Sequence, residues 1–517
     1  MKNSRDFNTL SPWQQTRDNM LKQPNQASEE TIYDTLIIGG GITGITTALM
    51  LQQQGKKCMI AEGHNIGYGT TGGTTAHINT FFDSTYPKIE SNFSEHDARL
   101  VANAGRDAIK TISSLVNTYN IDCDLETKTG YLFSQTDEQT QELADILKSA
   151  KNAGVSVSEA KENGVPIEFQ QALQFDSQAQ FHPLKYITAL VEEFTKLGGC
   201  IAEQSFVREV KTDDNIHTAH TYDKIFRAHH LVYATHVPPG VNKFSFRCAP
   251  YLSYVLGIKL KENSQYPKNL AYDMQEPYHY FRTHVIEGEQ ILILGGGDHK
   301  TGQGNPEKAY KELEDYASNY FDIENIAYRW SSQYYVPVDG LPYIGPINSL
   351  EDTIYVATGF NGNGMTWGTI AGTIICDAIL GIKNPYATLF MPSRMKPIAG
   401  FTEFVKEGAD VVYHLITDQF NIKDIDTFSE LCPGEGKVVE FNGEKMAVYK
   451  DSEGYLTALD PTCTHAGCTV SFNAVEKSWD CPCHGGRFSI DGKVLTGPPS
   501  KDLLTINLPL SGNANNS

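Results

Sequence analysis

Near the C-terminal end of the chain, Cys463-Thr-His465 and Cys481-Pro-Cys483-His484 each set a thiol beside an imidazole. Two such loops folded together would offer two soft thiolates and two imidazoles to one point. Zinc would accept that donor set. So would a pair of sulfide-bridged irons, with the thiolates on one iron and the imidazoles on the other. Structural zinc usually takes C-x2–4-C followed by H-x3–5-H. Interleaved cysteine and histidine, with Gly467, Gly485 and Gly486 to turn the loops, favours the iron pair. Cys463 and Cys481 are expected on one iron, His465 and His484 on the other.

A second constellation lies near the N-terminus. Gly39-x-Gly41-x-x-Gly44 follows the apolar run YDTLII and opens a helical stretch, and Glu62 closes the next strand-like run. Gly39 allows the tight turn, Gly41 admits a pyrophosphate close to the backbone, and Gly44 lets helix and strand pack closely. The helix N-terminus offers unpaired N–H groups and positive dipole to phosphate. Glu62 can hold ribose hydroxyls and would repel a 2′-phosphate. The choice between NAD and FAD falls on FAD because of what lies further on. The loop 63–78 is rich in Gly and Thr, and Thr70, Thr71 and Thr75 are expected to wrap the far side of the cofactor. DGLPYIG, with Gly345, and ATGFNGNGMTWG, with Gly359, Gly362, Gly364 and Met365, place another helix N-terminus far along the chain. Only a long ligand reaches both. A helix N-terminus beside the flavin N1–C2 carbonyl edge would stabilise the anionic reduced ring. Val207 completes the expected FAD contacts.

These residues resemble the D-amino acid oxidase and glycine oxidase superfamily over about residues 33–382, including FHPLKYITAL and LVYATH. The resemblance implies a Rossmann-type FAD domain, an inserted substrate domain over the flavin, and oxidation of a C–N bond in an amine or amino acid. The C-terminal motifs resemble Rieske [2Fe–2S] proteins over about 425–510. That resemblance implies a disulfide between Cys468 and Cys483. It also shows two departures: Gly486 and Phe488 stand where respiratory Rieske proteins carry Ser and Tyr. The absence of those hydroxyl donors implies a potential below the high end of the ~ −150 to +300 mV Rieske range. The chain as a whole looks like FAD-dependent oxidoreductases of amino acid oxidase type that carry a C-terminal Rieske domain.

Fusion of a two-electron flavin with a one-electron cluster suggests a path from substrate through FAD and cluster to an external acceptor, a protein or a quinone. The reverse flow, a reductase fed through the cluster, and a non-catalytic electron-transfer protein are the competing readings. The substrate site is thinner. Related oxidases often place an Arg just before DG-P-IG to hold a carboxylate. Here the segment is Trp330-Ser-Ser-Gln333-Tyr334-Tyr335. Arg282 is the candidate substitute, and Gln333 and Tyr334 are candidate catalytic residues. Ile293 aligns near the Lys that sarcosine-oxidase-like enzymes place over the flavin, which implies slow reaction with oxygen. Tyr251, Tyr254 and Tyr280 are candidate walls of an amine pocket.

The elements needed to hold these groups are legible in outline. Tyr33 to Glu62 reads as one βαβ unit, and Ile354–Gly381 as strand, glycine turn and helix. Helical periodicity appears near 97–118, 138–153 and 183–197, with strands at 231–235, 251–260 and 291–296. From about 425 the chain turns to short strands between glycines. The expected class is therefore α/β, a Rossmann-type FAD domain with an inserted α+β substrate domain, plus a small all-β Rieske domain. The expected boundaries are a flexible arm at 1–30, the oxidoreductase at 31–382, a connector at 383–424, the Rieske domain at 425–510 and a tail at 511–517. A length of 517 residues fits about three domains. With 42 basic and 62 acidic residues the net charge is −20, which disfavours nucleic acid and anionic lipid as partners. No apolar run approaches the ~18–20 residues of a membrane span, and the N-terminal segment lacks an apolar signal-like run, so a cytoplasmic location is expected.

Overall fold

The computed structural model describes residues 8–15, 25–349, 352–394, 423–424 and 428–508. The strand Ile32–Ile38 is almost wholly apolar towards its C-terminal end, as a strand covered on both faces must be. It lies at the centre of a largely parallel sheet. Cys58–Ala61 runs beside it with Ile37 opposite Ile60, and Ile225–Tyr233 runs on its other side with Ile37 opposite Val232. Cys200–Ala202 and Ile354–Thr358 extend the sheet outward in parallel, and Tyr343–Pro346 adds an antiparallel edge.

Two helices run from this sheet towards a shared site, Ile42–Gln53 and Gly364–Leu380. They cross closely because glycines face the neighbouring helix. A Cβ on Gly368 would lie 2.8 Å from Ile42 Cγ2, and one on Gly372 would lie 2.7 Å from Thr46 Cγ2. The close crossing brings both N-termini to one side of the sheet.

A nine-stranded mixed sheet forms the second layer. Its antiparallel half holds Ile323–Pro337, Cys248–Leu260, Glu289–Lys300 and Tyr280–Ile286. Leu270–Asp273 then pairs in parallel with Glu126–Ser134, which leads to Gln171–Gln180 and His77–Ile78. The predicted helices form as Glu95–Tyr119, Asp137–Asn152 and Pro183–Lys196. The Ser94 and Thr136 side chains cap the first two by accepting from Asp97 N and Gln139 N.

The C-terminal part is two small sheets. Lys423–Asp424, Gly436–Phe441, Glu444–Lys450 and Leu456–Leu459 form one; Ser471–Asn473, Ser478–Asp480, Arg487–Ser489 and Val494–Thr496 form the other. No helix among the described residues is long and apolar enough to cross a membrane.

The expected arm is corrected over the part that is described. Pro12–Gln15 forms a short helix, and Trp13 is fully buried with its Nε1 donating to Thr74 O at 2.7 Å. Its ring lies edge-on to His182 and His284. A polar composition hid a single indole anchor, which buries enough apolar surface to order the segment. Within the expected connector, Ala387–Phe390 is helical, whereas 395–422 and the expected tail lie outside the described residues.

Candidate active site and cluster centre

The glycine turn performs the tasks assigned to it. Gly39 has φ +110°, and a Cβ there would lie 2.4 Å from Ala234 O. A Cβ on Gly44 would lie 2.0 Å from Gly39 O, so only glycine lets the helix start this close to the strand. Glu62 folds back over the turn: Oε2 accepts from Gly40 N at 2.6 Å and Oε1 from His64 N at 2.8 Å. Thr71 Oγ1 accepts from Ile42 N at 3.1 Å, which fixes the second loop against the first.

These groups open onto a cavity of about 210 Å³. Gly39, Gly41, Glu62, Thr70, Thr71, Val207, Gly362, Gly364 and Met365 are all in its wall. Both helix N-termini therefore face one elongated space, as a long dinucleotide needs. The glycine cradle, the two dipoles and the acid at the strand end fit FAD. Three expected contacts are corrected, and one of them, Thr75, lines only the smaller cavity described below. Gly345 lies in the edge strand facing Pro392, and Gly359 packs against Pro337 and Cys248; neither is in the wall. Gly359, with φ +76°, serves the turn that leads to the Gly364 helix.

Sequence reading missed one part of this wall altogether. Leu495, Thr496, Gly497 and Pro499, from the C-terminal sheets, line the same cavity. His236 lines it too, with Nδ1 3.2 Å from Thr70 Oγ1, and burial pushes its pKa down to about 4. No local spacing marks any of these residues, because the contact joins segments that are remote in the chain.

A second cavity of about 80 Å³ continues from the first and shares Thr70, Thr74, Tyr334 and Gly362 with it. Thr75, His77, Asp83, Ser253, Tyr280 and Gln333 are also in its wall. Both candidate catalytic residues, Gln333 and Tyr334, are in or beside this wall. Arg282 is not. Its Nη1 donates to Thr75 O at 2.7 Å and Ala76 O at 2.9 Å, and its Nη2 lies 2.7 Å from His284 Nδ1. The guanidinium is fully buried behind the wall and is a structural residue rather than a carboxylate clamp. Ile293 faces the core beside Arg282 and lines neither cavity, so it supplies no ground for slow oxygen reactivity. Tyr254 and Tyr251 are likewise outside the walls. His77 engages Thr75 Oγ1 and Phe281 O with its two nitrogens.

At the other centre, Cys463, His465, Cys481 and His484 come together. The two loops are built alike: Gly467 N donates to Cys463 O at 3.0 Å, and Gly485 N to Cys481 O at 3.1 Å. Cys463 and Cys481 thiols touch, and the His465 and His484 rings lie 4.8 Å apart. His465 Nδ1 and both ring nitrogens of His484 are buried without a hydrogen-bond partner among the described residues. A touching pair of thiols and a neighbouring pair of imidazoles with orphaned nitrogens, carried on the same two loops, fit a [2Fe–2S] cluster. Cys468 and Cys483 form a disulfide beside it. Beneath the second loop, buried Arg487 Nε donates to Asp480 Oδ1 at 3.0 Å and Nη2 to Ser478 Oγ at 2.9 Å.

The family comparisons agree with this geometry. The profile described as FAD dependent oxidoreductase matches residues 34–378, and the one described as Rieske [2Fe-2S] domain matches 421–507. The chain belongs to the FAD dependent oxidoreductase family. It carries a Rieske domain in addition, and the two parts bind FAD and a [2Fe–2S] cluster. A Bacillus subtilis (strain 168) protein named as a Rieske 2Fe-2S iron-sulfur protein, YhfW, is 35% identical over 93% of this chain and 94% of its own length. Gamma-glutamylputrescine oxidoreductase of Escherichia coli (strain K12) is 24% identical over 68% of this chain and 85% of its own. Glycine oxidase from Geobacillus kaustophilus shares the fold of this family member: TM-score 0.58 and 18% identity, covering 70% of this chain and 99% of that one.

Proposed function

We propose that the protein is a dehydrogenase that oxidises the C–N bond of a small amine or amino-acid-like compound and passes the electrons singly through its own cluster to an external protein or quinone. FAD would supply the two-electron acceptor and the [2Fe–2S] cluster the one-electron exit. The observation that carries the reading is the shared wall: Leu495–Gly497 and Pro499 of the Rieske domain close the FAD cavity, so the two cofactor sites are neighbours within one chain. A relative named for an amine substrate supports the substrate side.

Each residue has a definite task in this reading. The backbone at Gly39–Thr43 and at Gly364–Met365 holds the two ends of FAD, and Glu62 the ribose. Thr70, Thr71 and Val207 close the cavity over it. Cys463 and Cys481 hold one iron, His465 and His484 the other. Tyr334 lines both cavities and orients the substrate, while Gln333 ties the same strand to the cluster loop.

An anaerobic absorbance titration of the purified holoenzyme tests the direction. Bleaching of the flavin by an amine or amino acid, followed by a change in the cluster spectrum, is the expected result. Cluster reduction that precedes flavin reduction, with no response to any amine, would overturn it in favour of the reductase flow.

A further inference from the structure

The smaller cavity has an unusual charge balance for a site that would take an amino acid. No lysine or arginine lies in its wall. The guanidinium nearest to it, Arg282, gives its Nη donors to backbone carbonyls and His284. The one imidazole in the wall, His77, is held neutral: burial and Arg282 push its pKa down to about 3.

Carboxylates take the place of the missing cations. Asp83 is in the wall and is reachable from the cavity, with Tyr278 Oη donating to its Oδ2 at 3.4 Å. Asp298 stands directly behind: Tyr334 Oη donates to its Oδ2 at 2.7 Å and Ser253 Oγ to its Oδ1 at 2.6 Å. Tyr334 and Ser253 are themselves wall residues. A further acceptor lies in the same wall, on the strand face that carries Tyr334: Ser332 Oγ is buried with no hydrogen-bond partner among the described residues. A buried acceptor left unmade costs free energy that an N–H donor would recover.

From this geometry we infer that the cavity is specific for a cationic alkylamine without a carboxylate group, with Asp83 as the residue that selects it. A substrate carboxylate entering here would meet the Asp83 and Asp298 carboxyls and no counter-charge. An ammonium group meets Asp83 and the Ser332 hydroxyl oxygen. The inference rests on the dehydrogenase reading above and narrows its substrate. The redox step would be unchanged: the ammonium releases one N–H proton to solvent, the C–H bond next to nitrogen breaks, its hydrogen and electron pair would pass to FAD as a hydride, and an iminium C=N bond would form. Burial and the Asp298 carboxylate push Asp83 up to about 7. Its carboxyl therefore releases a proton to solvent as the cation binds.

Anaerobic flavin bleaching of the holoenzyme decides the matter with two probe sets, butylamine and 1,4-diaminobutane against glycine, sarcosine and proline. The amines are expected to bleach the flavin at concentrations about tenfold or more below those needed for the amino acids. Asp83→Asn is expected to raise the half-saturating amine concentration about tenfold, with FAD content and the cluster EPR spectrum unchanged. Asp298→Asn serves as the second variant and is expected to act in the same direction. Bleaching by amino acids at equal or lower concentration overturns the inference and leaves the dehydrogenase reading intact. An unchanged amine requirement in a fully loaded Asp83→Asn protein also overturns it. Silence from both probe sets overturns the dehydrogenase reading itself.

Discussion

Gln333 Nε2 donates to the carbonyl oxygen of Gly485 at 2.8 Å, across the boundary between the oxidoreductase and the cluster loop. The backbone carbonyl of the same residue accepts from Thr70 Oγ1 at 3.2 Å in the FAD loop. The fit at this junction is tight, since a Cβ on Gly485 would lie 2.6 Å from Gln333 Nε2 and 2.4 Å from Pro250 Cβ. Two residues further along the strand, on the same face, Tyr335 Oη donates to His484 O at 3.2 Å. Three neighbouring residues of one strand, Gln333 to Tyr335, therefore touch the substrate cavity, the FAD cavity and the cluster loop.

Replacing Gln333 by Ala should separate flavin chemistry from cluster chemistry. Loss of a buried amide bond costs about 1–2 kcal/mol, small enough for the holoenzyme to persist. In anaerobic stopped-flow experiments, cluster reduction after flavin bleaching is expected to slow several-fold. Equal slowing of the two phases would show that Gln333 does not link them.

The cluster assignment has a direct spectroscopic consequence. Cys463→Ala and His484→Ala each remove a donor from a buried site of four. Both variants are expected to lose the cluster EPR signal and iron while keeping the flavin absorbance. A full cluster signal in either variant would remove that residue from the ligand set.

How far the sequence carried this picture depended on distance along the chain. The cradle at Gly39–Gly44 and the cluster loops were legible because each site is built from residues a few positions apart, whose spacing the chemistry dictates. Cys468 and Cys483 were legible only through the Rieske resemblance. The cavity wall at Leu495–Pro499 was not legible, because it arises from docking of remote segments. Arg282 misled for the opposite reason: a lone arginine in a strand carries no mark of whether its donors face a ligand or the carbonyls of Thr75 and Ala76. Asp83 and Asp298 went unnoticed because acidic residues are common in loops and at strand ends, and only the fold brings them to one cavity.

The disulfide joins the two cluster loops across a sequence separation of 15 residues. Closing a loop of about 15 residues is worth roughly 3 kcal/mol in the chain-entropy account. Cys468→Ala is accordingly expected to lower the guanidinium midpoint for cluster loss without altering FAD release. An unchanged midpoint would mean that docking against Pro250 and Gln333, rather than the covalent link, holds the loops.

Gly44 offers the sharpest test of the FAD cradle. Its added Cβ would lie 2.0 Å from Gly39 O and 3.1 Å from Ile37 Cγ2, where backbone cannot yield without moving the turn. Gly44→Ala is expected to purify with little FAD while the cluster spectrum remains. Stoichiometric FAD in that variant would place the cofactor elsewhere.

The carboxylates of the smaller cavity make a prediction about pH. Burial, then the Asp298 charge, push Asp83 up to about 7, and burial pushes Asp298 up to about 6. Both folded-state values lie above the ordinary carboxylate value near 3.8. From there up to about pH 7 the folded protein holds protons that the unfolded chain has released. By linkage, their contribution to stability is complete below about pH 4 and is lost progressively as pH rises from there to about 7. Wild-type Tm should therefore fall across that window more steeply than the Tm of Asp83→Asn or Asp298→Asn, each of which has one such proton fewer to lose. Amine binding should run the other way. Affinity for 1,4-diaminobutane should increase as pH rises through about 7, because the ionised carboxylate is the form that pairs with an ammonium. Parallel pH profiles for wild type and both variants, in Tm and in amine affinity alike, would show that neither carboxyl titrates there.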